Sequence, residues 1–421
     1  MKYLYSLLLI FCAFTISSYT NIEINPSNKI TDSTDSIIIA RIINETSRLR
    51  DTIQLYEQYD YDFKNTNDTI NILKDSIEKN NAKLSAEYNK SYQNIQKSVL
   101  LDNDKSKQVF IKEFNDLRIL QNKIEKEIDE MNLTLKKLNA SQIMLKANRD
   151  KLEKLIQLPK KNIANLISSV KSPIILPIEF WNSKFRVVIV NNQYNDFKII
   201  PNSTGTRKVL NSYYGNTISK SNYGVLMNAG MFEANGAAVG LLISNRKIVN
   251  EINIKKGLSG NFYDLSNAIF YTDTLGRYFI EGTNIFNEKF KNGKYPHIAF
   301  ATQSAPLLIN EGKINPELGF RSKNAVSRNG IGIVNNSKNN SSIFIISETK
   351  TTFYELAALF KFLGCDDALY LDGTVSQLIY KGPKKEMLFK TSATETQPLG
   401  PVFAVTSRDN QKDTTNKKNN K

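Results

Sequence analysis

Cysteine and histidine are nearly missing from this chain, and their scarcity excludes more chemistry than any other feature. Among 421 residues there are two cysteines and one histidine. Cys12 falls in an apolar leader, which leaves Cys365 alone in the remainder. One thiol cannot close an intramolecular disulfide or build a cysteine-based zinc site. With His297 as the sole imidazole, a multi-histidine metal centre is excluded, and a Ser-His-Asp triad could use only that residue. Hydrolytic chemistry is therefore expected to rest on carboxylates, hydroxyls, amides and arginines. RNP signatures, zinc fingers and recognition-helix patterns are missing too. The net charge of +15 is accordingly read as suited to anionic envelope polymers or phosphorylated glycans, or as a plain solvated surface, with no nucleic acid expected. Hydrophobic residues at 41% suffice for a packed core, which excludes wholesale disorder.

The amino terminus opens with Met1-Lys2, an apolar run from Tyr3 to Ile16, then Ser17 and Ser18. One positive charge, about 13 apolar residues and small residues after them match a secretory signal over 1–20. The run falls short of the roughly 20 residues that a membrane span needs. Export is expected, to the periplasm, the cell surface or the medium. A lipid anchor at Cys12 is not expected, because the bulky Phe11 stands directly before it.

After a linker over 21–35, glycine and proline almost vanish between residues 36 and 158. In the second half of that stretch, Phe110, Phe114, Leu117, Gln121, Ile124, Ile128, Met131, Leu135, Leu138, Gln142, Leu145, Arg149, Leu152 and Ile156 alternate at intervals of four and three. Only Gln121, Gln142 and Arg149 are polar, so the pattern predicts a coiled coil. A polar cluster at Asp102–Ser106 suits a turn. The segment reads as two long helices folded back as an antiparallel hairpin, or else as one extended oligomeric rod. A homo-oligomer or an envelope partner would then engage through the coil. Pro159 is expected to close the helical region, with a linker over 159–179.

Beyond it the style changes to β-branched runs such as Phe185–Val190, Val239–Ile243, Ala268–Tyr271 and Ser342–Ile346. One clear helix follows: Thr351 or Thr352 caps it, Glu355 completes a capping box and Gly364 stops it. The fold class predicted is α+β, a mixed β-sheet domain with flanking helices over 180–407, preceded by the long α-helical coiled coil. The tail 408–421 is rich in Asn, Lys and Thr and is expected to be disordered.

Five clusters carry candidate chemistry. Asn228-Ala229-Gly230-Met231-Phe232, with Gly240-Leu241 behind it, offers an amide and a tight glycine turn. Gln303 and Ser304 interrupt an otherwise apolar stretch at Ala301–Ile309, either as a turn device or as ligand contacts. Arg328 and Asn329 precede a glycine-flanked strand, where an arginine could grip a phosphate bidentately or simply sit in a hairpin turn. Glu348 ends the strand Ile345–Ser347, and a charge at a strand's end is a candidate acid or base. Asp372 ends the short strand Ala368–Leu371 and is followed by Gly373, Thr374 and Ser376, placing a carboxylate on a rigid support facing a loop. Asp366 and Asp367 are read as shaping the turn before that strand, and Cys365 as a buried small hydrophobe.

This ordered series resembles the phosphodiester glycosidase family across residues 180–407, and not in the coil. The resemblance implies hydrolysis of a sugar-1-phosphate diester at its glycosidic bond. It makes Asp372 and Glu348 the candidate carboxylates, without deciding which is acid and which nucleophile. It assigns Arg328 to the phosphate and lets Asn228, Gly230, Gln303, Ser304, Asn329, Gly373 and Ser376 line the pocket. Thr374 departs from the family pattern, which usually has a second glycine there, and its side chain would narrow the loop. Paired carboxylates rather than histidine suit glycoside cleavage. No cofactor is required by the sequence, although a divalent cation could share the handling of phosphate. Cleavage of the P–O bond or of another glycan linkage, and a non-catalytic glycan-binding module scaffolded by the coil, stay open as alternatives.

Overall fold

The computed structural model describes residues 34–98, 104–202, 209–258, 260–290, 294–336, 339–373, 375–382, 386–390 and 398–408. The expected signal segment with Cys12, Thr374 and nearly all of the expected disordered tail lie outside the described residues.

Two long helices come first, α1 (Thr34–Ser98) and α2 (Asp104–Ser169). They run antiparallel, as their cross-contacts record. Gln121 Nε2 donates to Ser91 Oγ at 3.2 Å, Gln142 Nε2 to Asn67 Oδ1 at 2.9 Å, and Arg149 Nη1 to Asp60 Oδ1 at 3.4 Å. The partner position on α1 falls as the donor position on α2 rises. Each polar interruption of the heptad pattern thus finds a polar partner across the seam, which pins the register. The apolar seam between them buries Ile70, Leu117, Ile124 and Ile128.

The expected end of the helical region at Leu158 is corrected. α2 passes through Pro159 and continues to Ser169. An internal proline costs roughly 3 kcal/mol in a helix. Here the last turns sink Ile163, Ile167 and Val170 completely into the core of the β-domain, and that burial offsets the cost. No linker spans 159–179, because the first strand already begins at Ile174.

The β-domain opens with β1 (Ile174–Phe180), β2 (Ser183–Asn191), β3 (Asn195–Ile200) and the short helix α3 (Asn211–Thr217). Next come β4 (Gly224–Asn228), β5 (Leu242–Ser244), β6 (Lys247–Asn250) and α4 (Asn261–Asp264). β7 (Ala268–Asp273) and β8 (Tyr278–Gly282) lead to α5 (Thr283–Lys289). β9 (Ile298–Ser304), β10 (Leu307–Asn310), β11 (Lys313–Ile314), β12 (Asn329–Asn336) and β13 (Asn339–Ser347) lead to α6 (Phe353–Phe362). β14 (Asp367–Tyr370), β15 (Gln377–Lys381), β16 (Glu386–Lys390) and β17 (Val402–Ser407) follow.

These strands form one seven-stranded sheet, β1-β2-β13-β12-β14-β10-β11, and two five-stranded sheets, β16-β15-β4-β17-β3 and β6-β5-β9-β7-β8. One face of the large sheet packs on α6 and the root of the hairpin, where Ile38, Ile42, Leu49 and Ile53 of α1 join the same apolar cluster as Leu176, Ile345 and Phe360. Its other face packs on the two smaller sheets through residues such as Val188, Phe344, Phe270, Met227 and Phe403. The hairpin root is therefore part of the core.

The α+β class stands, and the strand pairing is antiparallel throughout the described residues. The strand–helix–strand unit β13-α6-β14 does carry the chain back in the same direction. β12 lies between the two strands and pairs antiparallel with both, so no parallel contact results. Thr352 Oγ1 accepts from Glu355 N at 3.1 Å and Glu355 Oε2 accepts from Thr352 N at 2.9 Å, the capping box that the sequence announced. Gly364 follows with φ of +89°, which halts the helix.

Candidate active site

Three strand ends meet at Asn228, the fully buried last residue of β4. Its Oδ1 accepts from Asn329 Nδ2 at 2.9 Å and from Gln377 N at 3.0 Å. Its Nδ2 donates to the Asp372 carbonyl at 2.8 Å. One side-chain amide thus clamps the start of β12, the start of β15 and the turn after β14. Within that turn Ser376 Oγ donates to Gly373 O at 2.7 Å, closing the loop on itself. Gly373 is required sterically: a Cβ there would stand 2.3 Å from Tyr370 Oη and 2.7 Å from Ser327 O. The structure brings Asn228, Arg328, Asn329, Asp372, Gly373 and Ser376 together in this way.

Gly230 lies two residues beyond Asn228 and abuts β9, where a Cβ would fall 2.5 Å from Gln303 O. Gln303 is buried and its amide is fully engaged. Oε1 accepts from Leu241 N and Asn253 N at 2.9 and 3.0 Å, while Nε2 donates to Asn253 O and Thr283 Oγ1 at 2.7 and 3.2 Å. Between a turn device and a ligand contact, the geometry of Gln303 is that of a device holding the loop after β6. It also explains why the expected strand Val239–Ile243 shrinks to β5, since Leu241 N is spent on Gln303. Ser304 differs. Its hydroxyl is buried without a hydrogen-bond partner among the described residues, as are Asn329 Oδ1 and Gln377 Nε2. A buried polar atom without a partner costs about 1–3 kcal/mol. Asn329 and Gln377 both bond to Asn228, so their unpaired atoms lie at the clamp, where a polar ligand would satisfy them.

Arg328 is buried rather than presented to a cleft. Nε donates to Thr351 O and Nη2 to Asn324 O, both at 3.0 Å, and the guanidinium stacks 3.4 Å over the Phe353 ring. It also approaches the Tyr370 hydroxyl as a donor. No carboxylate lies in ion-pair range of it among the described residues. Burial, the largest influence, lowers its pKa, with Tyr370 opposing. The sequence reading of a bidentate phosphate grip does not match this geometry. A cation held by neutral carbonyls and rings acts on the loop above it as a source of positive field, strengthened by the low dielectric around it.

Glu348 is not in the cluster. Its Oε1 accepts from Arg186 Nε at 2.9 Å, and Arg186 lies 5.0 Å over the Phe389 ring. β12 separates its strand from that of Asp372, about 10 Å across two strand spacings. His297 is exposed just before β9, at the opposite end of that strand from Gln303 and Ser304. Cys365 is buried, as read from the sequence, with its thiol pKa pushed up chiefly by desolvation, while the Asp366 and Asp367 carboxylates accept from Asn335 N of β12 and from Glu311 N after β10. Among the described residues no three His, Cys, Asp or Glu side chains are grouped to hold a metal ion. A cleft of about 780 Å³ opens elsewhere, lined by Asn192, Arg277, Asn335, Asn340, Asp367 and Arg408 among others, at the other end of β14 from Asp372.

Sequence reasoning missed Tyr370. Its hydroxyl accepts from Gly373 N at 2.9 Å, and its ring meets Phe353 edge-on at 4.8 Å. The signal available was a tyrosine two residues before Asp372 in an otherwise aliphatic strand.

Comparison with known proteins agrees with the motif series. A sequence model described as phosphodiester glycosidase matches residues 221–406. The chain is also 34% identical over 159 residues to the uncharacterized protein YigE of Escherichia coli (strain K12), an alignment covering 37% of this chain and 58% of that one. The chain therefore spans less than two thirds of that relative. The match takes in Asn228, Gly230, Gln303, Ser304, Arg328, Asn329, Glu348, Asp372, Gly373 and Ser376, and across residues 221–406 this chain carries a phosphodiester glycosidase domain.

Proposed function

We propose that this chain is an exported hydrolase that cleaves the glycosidic bond of a sugar-1-phosphate diester in envelope or extracellular glycans, with Asp372 as its working carboxylate. The observation that carries this reading is the Asn228 clamp. It fixes the Asp372 turn beside Asn329 and Gln377, whose Oδ1 and Nε2 are buried without a partner among the described residues. Water adds to the anomeric carbon, the bond from that carbon to the phosphate oxygen breaks, and a phosphomonoester leaves with the bonding pair. The proton of water passes to Asp372 or to solvent. A phosphate leaving group needs little protonation, so one carboxylate and a nearby positive field suffice. Arg328 supplies that field from below the turn, while Ser304, Asn329 and Gln377 offer one hydroxyl, one acceptor and one donor to sugar hydroxyls.

Hydrolysis by the full chain of a panel of nucleotide-sugars and methyl diesters of hexose 1-phosphates tests the reading, with ¹⁸O-labelled water and Asp372→Asn as control. Label in the free sugar together with loss of turnover in the variant is expected. Label in phosphate would move the reaction to the P–O bond. A second reading, a glycan-binding module without turnover, is favoured by Glu348 being committed to Arg186, which leaves one candidate carboxylate at the clamp. Saturable binding of the same compounds with no product would support it.

A further inference from the structure

The turn that carries Asp372 is held from below as well as from the side. Asn228 holds it laterally through the Asp372 carbonyl. Beneath it stands Tyr370, buried, whose hydroxyl accepts the Gly373 amide. No space separates them, since even a methyl group on Gly373 would overlap that hydroxyl. The tyrosine is fixed in turn. Its ring meets Phe353 at the head of α6, and Phe353 carries the Arg328 guanidinium on its face. Arg328 is anchored to Thr351 O, in the residue before the N-cap of α6, and its own amide donates to Ser347 Oγ at 2.8 Å.

We propose that Tyr370 is a positioning residue for the Asp372 site, its hydroxyl setting the height of the Asp372–Gly373 turn above the buried Arg328–Phe353 stack. The inference rests on the reading of Asp372 as the working carboxylate. A phenol in this place does two things that an aliphatic residue could not. It pairs the Gly373 amide, which would otherwise be buried unpaired, and its ring lies 5.5 Å from the buried Arg328 guanidinium, two residues before Asp372 in sequence. Both Arg328 and Asp372 act on its ionisation in opposite senses, which places the hydroxyl within the field of each. Displacing the turn by a fraction of an ångström shifts the carboxylate relative to the anomeric carbon, and misplacement of that order costs rate rather than binding.

The test compares Tyr370→Phe with Tyr380→Phe in the full chain. Tyr380 is also buried and its hydroxyl donates to Pro173 O at 2.8 Å, so its loss matches the structural cost without touching the turn. Amide exchange of the segment 371–377 is measured by mass spectrometry, and kcat and KM on whichever diester of the panel the wild type cleaves fastest. Tyr370→Phe should exchange at least about tenfold faster in that segment, with kcat down roughly tenfold to a hundredfold and KM changed by less than about twofold. Equal exchange and equal kcat in the two variants would overturn the proposal. Asp372→Asn separates the two ideas. If it keeps wild-type turnover, the Asp372 reading itself fails. If it is inactive while Tyr370→Phe matches Tyr380→Phe, only the positioning role falls. Should Tyr370→Phe not fold, 3,5-difluorotyrosine at position 370 keeps the ring and weakens the hydroxyl as an acceptor. Faster exchange and lower kcat support the proposal there too, and unchanged values overturn it.

Discussion

Replacing Asn228 by alanine is the perturbation that the clamp makes most consequential. Three groups lose their partner at once: Asn329 Nδ2, the Gln377 amide and the Asp372 carbonyl. Asn228 and Asn329 are fully buried and Gln377 nearly so, so water reaches their groups poorly, while Asp372 is half-buried. Each unpaired buried group costs about 1–3 kcal/mol. Relaxation of the loop lets some of them find solvent, so the sum should fall near the lower end, about 3–5 kcal/mol. That is a large share of the roughly 5–15 kcal/mol available to a folded domain. Urea unfolding followed by tryptophan fluorescence measures it, since Trp181 stacks at 5.3 Å on Phe180 in the core near the hairpin root. The midpoint should fall while the slope stays constant. The same variant should lose turnover out of proportion to its stability, because the Asp372 turn loses its lateral tether. A loss below about 1 kcal/mol with activity intact would refute the claim that Asn228 organises this site.

Other consequences follow from particular contacts. Tyr370 ionises with difficulty, its pKa pushed up to about 12 by burial first and then by Asp372, against Arg328. The unfolded phenol titrates near 10. The folded state thus holds its proton more tightly, and the contribution to stability is present below pH 10 and is lost as pH rises towards 12. The phenolate absorbance difference between wild type and Tyr370→Phe should therefore appear near pH 12 and not near 10. Gly373→Ala should disable the site more than it unfolds the chain, since its Cβ would overlap Tyr370 Oη and Ser327 O and must displace the turn; a crystal structure with the turn unmoved would contradict this. Glu57, nearly fully buried on α1, accepts from Tyr354 Oη at 2.6 Å and Lys361 Nζ at 2.9 Å of α6. Glu57→Ala should cost roughly 2–3 kcal/mol by leaving a partly buried ammonium and a phenol unpaired, read as a lowered thermal midpoint. A chain lacking residues 34–169 should be insoluble or molten, because Ile42, Ile163 and Ile167 leave the core together; a sharp cooperative unfolding transition would show otherwise.

How much of this was legible in the sequence depends on the range over which each residue finds its partner. The heptad spacing announced the long helices while leaving hairpin and rod open, and the capping box at Thr352 and Glu355 announced α6, because both patterns are local. Pro159 misled for the same reason. Its local preference is to end a helix, and only the distant pocket that receives Ile163 and Ile167 overrules it. Arg328 and Gln303 show the limit most clearly. Each is a polar residue in an apolar setting, which from sequence alone suits a ligand contact as well as a structural pin. Gln303 is decided by Leu241, Asn253 and Thr283, all twenty or more residues away. Arg328 is decided by Thr351 and by Phe353 on the next helix. The motif series picked out loops that meet at one clamp, while Gln303 and Arg328 among them are engaged by the protein itself. Among the described residues Ser304 Oγ, Asn329 Oδ1 and Gln377 Nε2 are buried without a partner, and Gln377 joins the clamp only through the fold. Substitutions there should separate binding from stability. Removing an unpaired donor or acceptor costs the folded protein nothing and relieves a desolvation penalty, so Ser304→Ala should be as stable as the wild type or slightly more so. It should nevertheless raise KM for the sugar diester if that hydroxyl contacts substrate. Lower stability in Ser304→Ala would mean that the hydroxyl has a structural partner, and that the site must be sought elsewhere around Asn228.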